Sequence, residues 1–485
     1  MLKVLISTTL IFISSFMGFG SAKAEIQLFP NPPDYKPAPD YKLRVNGREV
    51  FVYNSDYNPY AIFNFEGTVN IEIQTSNDLK WVNIRPLNDS ISSDFKGNSM
   101  FFTLNKPGKF SIEINGETDR ALFLFTGPIQ SPQLPESKII RFDAGKIYNA
   151  GTIELHSNDI LFIEGGAVVR GNIIASHADH IKILGNGILD GTLSNHIPPN
   201  RMIDLTACRD VLIQDITIHN SPTWTIVLSD CRDLEINNVK EVNWKNGSDG
   251  IDLVSSSHIR IENCFLKNND DCIVIKSFTP DHKYPVSPAD RGSDVTDITV
   301  DHCTLWNMPW GNALEIGFEL RCDSISHITF KNINIIHVER GAAISIHNGD
   351  FAIVNDISYD HITIENADQK LIDLAIILSQ YSMDRPETGE ERKDRYMDGA
   401  WDGVLKVYPG EEKKYETNRG FINHITFSDI RVLEGPFPFS ILNGYDSIHS
   451  INDIDFNNLY ILNQKIINPG SGHFFLKNTD NIHFN

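Results

Sequence analysis

Eight ten-residue segments that superimpose on one another constrain this chain more than any other feature. They are VLIQDITIHN from Val211, LEINNVKEVN from Leu234, IRIENCFLKN from Ile259, ITVDHCTLWN from Ile298, ITFKNINIIH from Ile328, ISYDHITIEN from Ile357, ITFSDIRVLE from Ile425 and IDFNNLYILN from Ile454. In each, the first, third and sixth positions are apolar or half-apolar and the fifth is Asp, Asn or His. A unit of this length holds two or three short strands and no helical pattern, so alone it cannot cover its apolar face. Stacked copies bury one continuous core. β-Branched residues at the recurrent positions, with Asn at corners where a left-handed backbone is tolerated, specify a right-handed parallel β-helix with coils about 4.8 Å apart. Leucine-rich spacing is absent, and a propeller needs four strands per repeat.

Upstream, residues 25–135 read as short alternating strands with Asn-Gly between them twice, the hairpin signal of a small all-β sandwich. The Pro- and Ser-rich stretch SPQLPESK then links it to the β-helix, residues 136–485. Residues 1–24 carry Lys3, an apolar run from Val4 to about Phe19 and the small-residue stretch Ala22-Lys23-Ala24. That pattern is an export signal cut after Ala24; an N-terminal anchor is the weaker alternative, because the run is short for a span. A periplasmic or extracellular monomer with no membrane insertion is therefore expected. The formal charge is −21, or −23 without Lys3 and Lys23, which excludes nucleic acid and anionic membrane as natural partners. The six cysteines, from Cys208 to Cys322, show no metal spacing; Cys264 and Cys303 share the sixth repeat position and are expected to stack inside the coil as reduced thiols.

The strand after each repeat segment carries the chemistry. WTIVL from Trp224, DGIDL from Asp249, DCIVI from Asp271, NALEI from Asn312 and AAISI from Ala342 align with their third and fifth residues inward. One outward ladder then runs Trp224, Asp249, Asp271, Asn312, Ala342, and a second Val227, Asp252, Val274, Glu315, Ser345. Asp270 sits at the corner before Asp271 and completes a trio with Asp249. Three carboxylates on one open face repel one another, which raises at least one pKa and yields an acid and a base near neutral pH. Glycoside hydrolysis uses such a pair, and a separation of roughly 6.5–9.5 Å, which leaves room for water, gives inversion. The alternatives are turn aspartates and a calcium site; the expectation is an enzyme without metal or cofactor. Trp224 and Trp310 flank the trio as platforms for sugar rings, with Asp252, Lys276, Asn312, Glu315, His347 and Asn348 as the other substrate-binding candidates on these coils.

At these residues the chain resembles the polygalacturonases, glycoside hydrolase family 28. The matching pieces are NSPTWTI (220–226), NGSDGIDL (246–253) and NNDDCIVIKS (268–277), in the family's order. The resemblance implies an inverting hydrolase of a polysaccharide or oligosaccharide, with Asp270 as general acid and Asp249 and Asp271 activating water. Two departures bear on the substrate. Asn312, in WGNALEIG, stands at the family's histidine, and Ser345 and His347, in AISIHNG, stand where the family has the Arg-x-Lys that holds a uronate carboxylate. Without that cation a neutral sugar is expected. LEIGFELRCDSISHITFKNINIIH (314–337), together with VNIRPLNDSI and FFTLNKPGKFSIEINGE, is similar to the dextranase and isopullulanase group, glycoside hydrolase family 49, which joins a β-sandwich to a β-helix. A polysaccharide lyase and a non-catalytic carbohydrate-binding protein are the alternatives. The insertion from about Ser379 to Arg419 is expected to wall the cleft, with Arg385, Tyr396 and Trp401 as candidates to touch sugar; the loop after Ser277 is expected opposite.

Overall fold

The stacking that the repeat demands is present in the computed structural model, which describes residues 24–129, 139–196, 200–279, 291–386, 388–396 and 403–485. The leader, the linker, most of the loop after Ser277, and Trp401 lie outside the described residues. Among those described, 31 strands between Ile139 and Phe484 pair coil upon coil, nearly all in parallel. The first residues of all eight repeats fall in one register, from Val211 beside Leu234 through to Ile425 beside Ile454. The stack continues to Ile181 above and Ile482 below.

Two corner positions explain why Asp, Asn and His recur. The fifth residue of every repeat, from Asp215 to Asn458, has positive φ, and so does the residue just before each repeat, from Asp210 to Asp453. Short polar side chains tolerate this conformation better than β-branched ones do. Inside the coil, third-position rings of Phe330, Tyr359, Phe427, Phe456 and Phe484 stack at centroid distances of 4.7–4.9 Å. Cys264 and Cys303 are buried, and all six cysteines are free thiols.

Residues 25–127 form two further sheets of six and five strands around their own core. Both Asn-Gly pairs are hairpin turns, closing Val45 on Arg48 and Ile114 on Glu117. This part docks on the β-helix face built by strands such as Lys240–Val242, Phe265–Asn268 and Thr304–Asn307. Tyr60, Phe123 and Phe125 pack there on Phe265, Trp306 and Ile336. Arg85 fixes the contact, reaching Glu113 on its own sheet and Glu365 and Glu434 on the β-helix. The neighbouring face, with strands Ile251–Val254, Ile273–Ser277, Leu314–Leu320 and Ala342–Asn348, carries the acidic residues.

Candidate active site

Parallel pairing of Ile251 with Ile273, Ile273 with Leu314 and Leu314 with Ile344 sets both outward ladders in the register expected from the alignment. Residues far apart in the chain thus become neighbours. Asp249, Asp270 and Asp271 each bring one carboxylate oxygen within 4.8 Å of the others. The trio lines an open cleft of about 840 Å³.

Asp249 and Asp271 are buried, whereas Asp270 is partly exposed. Gly311 makes the corner possible, since a Cβ there would stand 2.4 Å from Asp270 Oδ1. Asp271 Oδ1 accepts from the Asn312 backbone N–H at 2.7 Å. Lys276 Nζ lies 3.3 Å from Asp249 Oδ2 and 3.3 Å from Asp252 Oδ1. Asp249 Oδ1, by contrast, is buried with no protein partner. Burial, then the charge of Asp270, push the carboxyl groups of Asp249 and Asp271 well above the ordinary range. The Asp252 carboxyl is raised to about 6, burial outweighing Lys276. Such a cluster titrates as a unit and retains a proton that an isolated carboxylate would have lost. The oxygens are also close enough to share a cation, and Lys276 supplies one positive charge beside them.

The other expected residues divide. Trp224, Lys276, Trp310, Asn312 and His347 line the cleft. Asp252, Glu315 and Asn348 do not, a correction that follows from their burial: Asp252 pairs with Lys276, and Asn348 donates to the Ala352 carbonyl. Glu315 accepts from Asn312 Nδ2 at 3.1 Å and from the Ser345 hydroxyl and His347 Nδ1. His347 Nε2 in turn lies 3.4 Å from Asp373. Burial opposes charge on His347, but Glu315 and Asp373 outweigh it and raise its pKa to about 10. The place of the family's Arg-x-Lys is thus a buried, internally paired cluster. Neither tryptophan is a bare platform: Lys276 and Arg201 stand over Trp224, 4.1 and 5.1 Å from its ring centroid, and Arg340 stands 5.2 Å from that of Trp310.

Sequence reasoning missed Phe318 and Glu319, which also line the cleft. Ile275 pairs with Ile316 but Ser277 with Leu320, so two extra residues bulge from the strand there. The signal was the surplus in EIGFEL against VIKS when the coils are aligned. Phe318 stacks on His347 at 4.9 Å and tilts against Tyr381 at 5.7 Å. The insertion after Ser379 forms a cleft wall through Gln380, Tyr381 and Tyr396, while Arg385 bonds the Ser382 carbonyl and does not line it.

Residues 153–389 match the model of Glycosyl hydrolases family 28. Exopolygalacturonase rpg15 of Rhizopus delemar is 25% identical over 235 residues, 46% of this chain and 55% of its own length. A polygalacturonase of Juniperus ashei is 21% identical over 212 residues, 39% of this chain and 38% of its own. The chain therefore spans about half or less of these relatives. Dex49A from Penicillium minioluteum superimposes with a TM-score of 0.54 at 15% identity, covering 83% of this chain and 90% of its own. The hyperthermoactive exopolygalacturonase from Thermotoga maritima gives 0.50 at 15% identity, covering 71% and 84%. These structures share the fold. The chain is polygalacturonase-like in sequence, and the Dex49A superposition reaches beyond the β-helix into the N-terminal sheets.

Proposed function

We propose that the protein is an exported glycoside hydrolase that cleaves O-glycosidic bonds of a polysaccharide or oligosaccharide. Asp270 is the general acid that protonates the leaving oxygen; Asp249 and Asp271 hold the attacking water and take its proton. The observation that carries this reading is the coupled trio on the floor of an open cleft. Its partly exposed member, Asp270, is the one most open to a glycosidic oxygen entering the cleft, which supports the acid role. The unpartnered Asp249 Oδ1 is an acceptor of the kind a water needs.

Inversion follows from the resemblance to family 28. Retention, the outcome of direct attack by a carboxylate, is the stereochemical alternative to inversion. The anomer formed first, followed by NMR, separates the two. A neutral glycan is supported by the cluster around Glu315, which pairs with the Ser345 hydroxyl and His347 Nδ1 where the family has its Arg-x-Lys.

The test is reducing-end release from polygalacturonate, rhamnogalacturonan, dextran and pullulan by wild type and Asp270→Asn. Release by wild type, with a loss of about 10²–10⁴-fold in the variant, is expected. Unsaturated products indicate a lyase instead, and no release from any of the four leaves a non-catalytic binding protein.

A further inference from the structure

Beside the cleft, where the sandwich meets the β-helix, lies a second groove of about 560 Å³. Trp81, Asn83 and Thr118 form one bank, and Asn366, Asp368 and Gln369 the other. It shares Pro309 and Arg340 with the cleft, so the two adjoin. Trp81 is 46% exposed, yet it is held. Its indole lies on Gly116, where a Cβ would stand 3.0 Å from the ring, and its backbone N–H and that of Lys80 donate to Asn115 Oδ1. The six-membered ring of the indole therefore rests against the Asn115-Gly116 turn.

We propose that this groove binds distal units of the same glycan whose bond is cleaved at the trio, with Trp81 as the stacking platform. The inference rests on the glycosidase reading and deepens it: the substrate is a chain that runs from the aspartates past Trp310 and Arg340 onto the sandwich. A rigid indole offers a flat apolar surface to the C–H face of a sugar at little entropic cost. The amides of Asn83, Asn366 and Gln369 and the carboxylate of Asp368 offer donors and acceptors to its hydroxyls. The groove's size lies in the range of ligand sites, and its polar lining suits a sugar better than an apolar protein surface. Docking of the N-terminal sheets thereby does more than cover the β-helix, because it lengthens the cleft.

The experiment compares wild type with Trp81→Ala and Gln369→Ala, both exposed positions on opposite banks. Two quantities are read: native-gel retardation by polygalacturonate, rhamnogalacturonan, dextran and pullulan, and kcat/KM on each polymer and on its trisaccharide. Trp81→Ala is expected to lose roughly tenfold, the effect of removing one aromatic anchor, on the polymer that wild type engages, with the trisaccharide unchanged. Gln369→Ala should shift in the same direction by less. Equal losses on polymer and trisaccharide, no loss on the polymer, or no retardation of wild type by any of the four overturns the proposal. Retardation that depends on Trp81 without hydrolysis supports the groove and sinks the catalytic reading; hydrolysis indifferent to Trp81 sinks the groove alone.

Discussion

Asp271 is held in the cleft against its own preference. A buried carboxyl whose folded pKa is raised lowers stability at every pH above its ordinary value of 3.8 and has no such effect below it. Asp271→Asn, whose amide oxygen still accepts from Asn312, is therefore expected to raise Tm by a few degrees at pH 7 and to leave it unchanged at pH 3. Activity should fall by about 10²-fold or more. Lys276→Met removes the cation beside Asp249 and Asp252, so both carboxyl groups hold protons more tightly and the acidic limb of kcat/KM moves to higher pH, by about one unit. His347 has the opposite sign to Asp271. Its folded pKa is raised from 6.5 to about 10, so its contribution is complete below pH 6.5 and is lost as pH rises through 10. Urea unfolding of His347→Gln against wild type should show a stability gap that closes across that window.

Each coil depends on two left-handed corners and one stacked interior position. Asn332 occupies such a corner and donates to Asp301 at 2.9 Å. Asn332→Gly should shift stability by only a few tenths of a kcal/mol, and Asn332→Val should lower it by about 1–2 kcal/mol, read from denaturant midpoints. Within the ring stack, the Tyr359 hydroxyl is buried without a partner, so Tyr359→Phe should leave Tm equal or higher. This is the scale at which the sequence was most legible. Apolar first and third positions and a polar fifth are imposed by the coil itself, so eight copies specify the ladder register and with it the neighbours of Asp249. What escaped was whatever departs from the coil. The bulge that projects Phe318 and Glu319 adds residues without changing the period on either side. Glu315 is enclosed by Asn312, Ser345 and His347 of its own and the next coil, and Asn348 reaches the Ala352 and Phe421 carbonyls, contacts that an outward position in an alignment does not reveal.

At the scale of the molecule, the two parts are held by an apolar patch, by Arg85 and by polar contacts such as His337 with Glu113 and the Leu87 N–H with Glu365. Phe265 and Trp306 point out of the coil onto the sandwich's Tyr60, Phe123 and Phe125, a cover that the repeat pattern by itself does not reveal. Arg85→Met removes the shared cation from Glu113, Glu365 and Glu434, two of them fully or nearly fully buried, and is expected to cost about 3–5 kcal/mol, measured as loss of thermal and denaturant stability. The same docking sets the second groove beside the cleft that holds the trio, which is what the proposed extended glycan site requires. The most direct test of the whole account is reducing-end release by wild type, by the three single Asp→Asn variants at 249, 270 and 271, and by the triple variant. A proton-sharing unit predicts that each single variant loses nearly as much activity as the triple. Wild-type activity surviving in any one of the singles would contradict it.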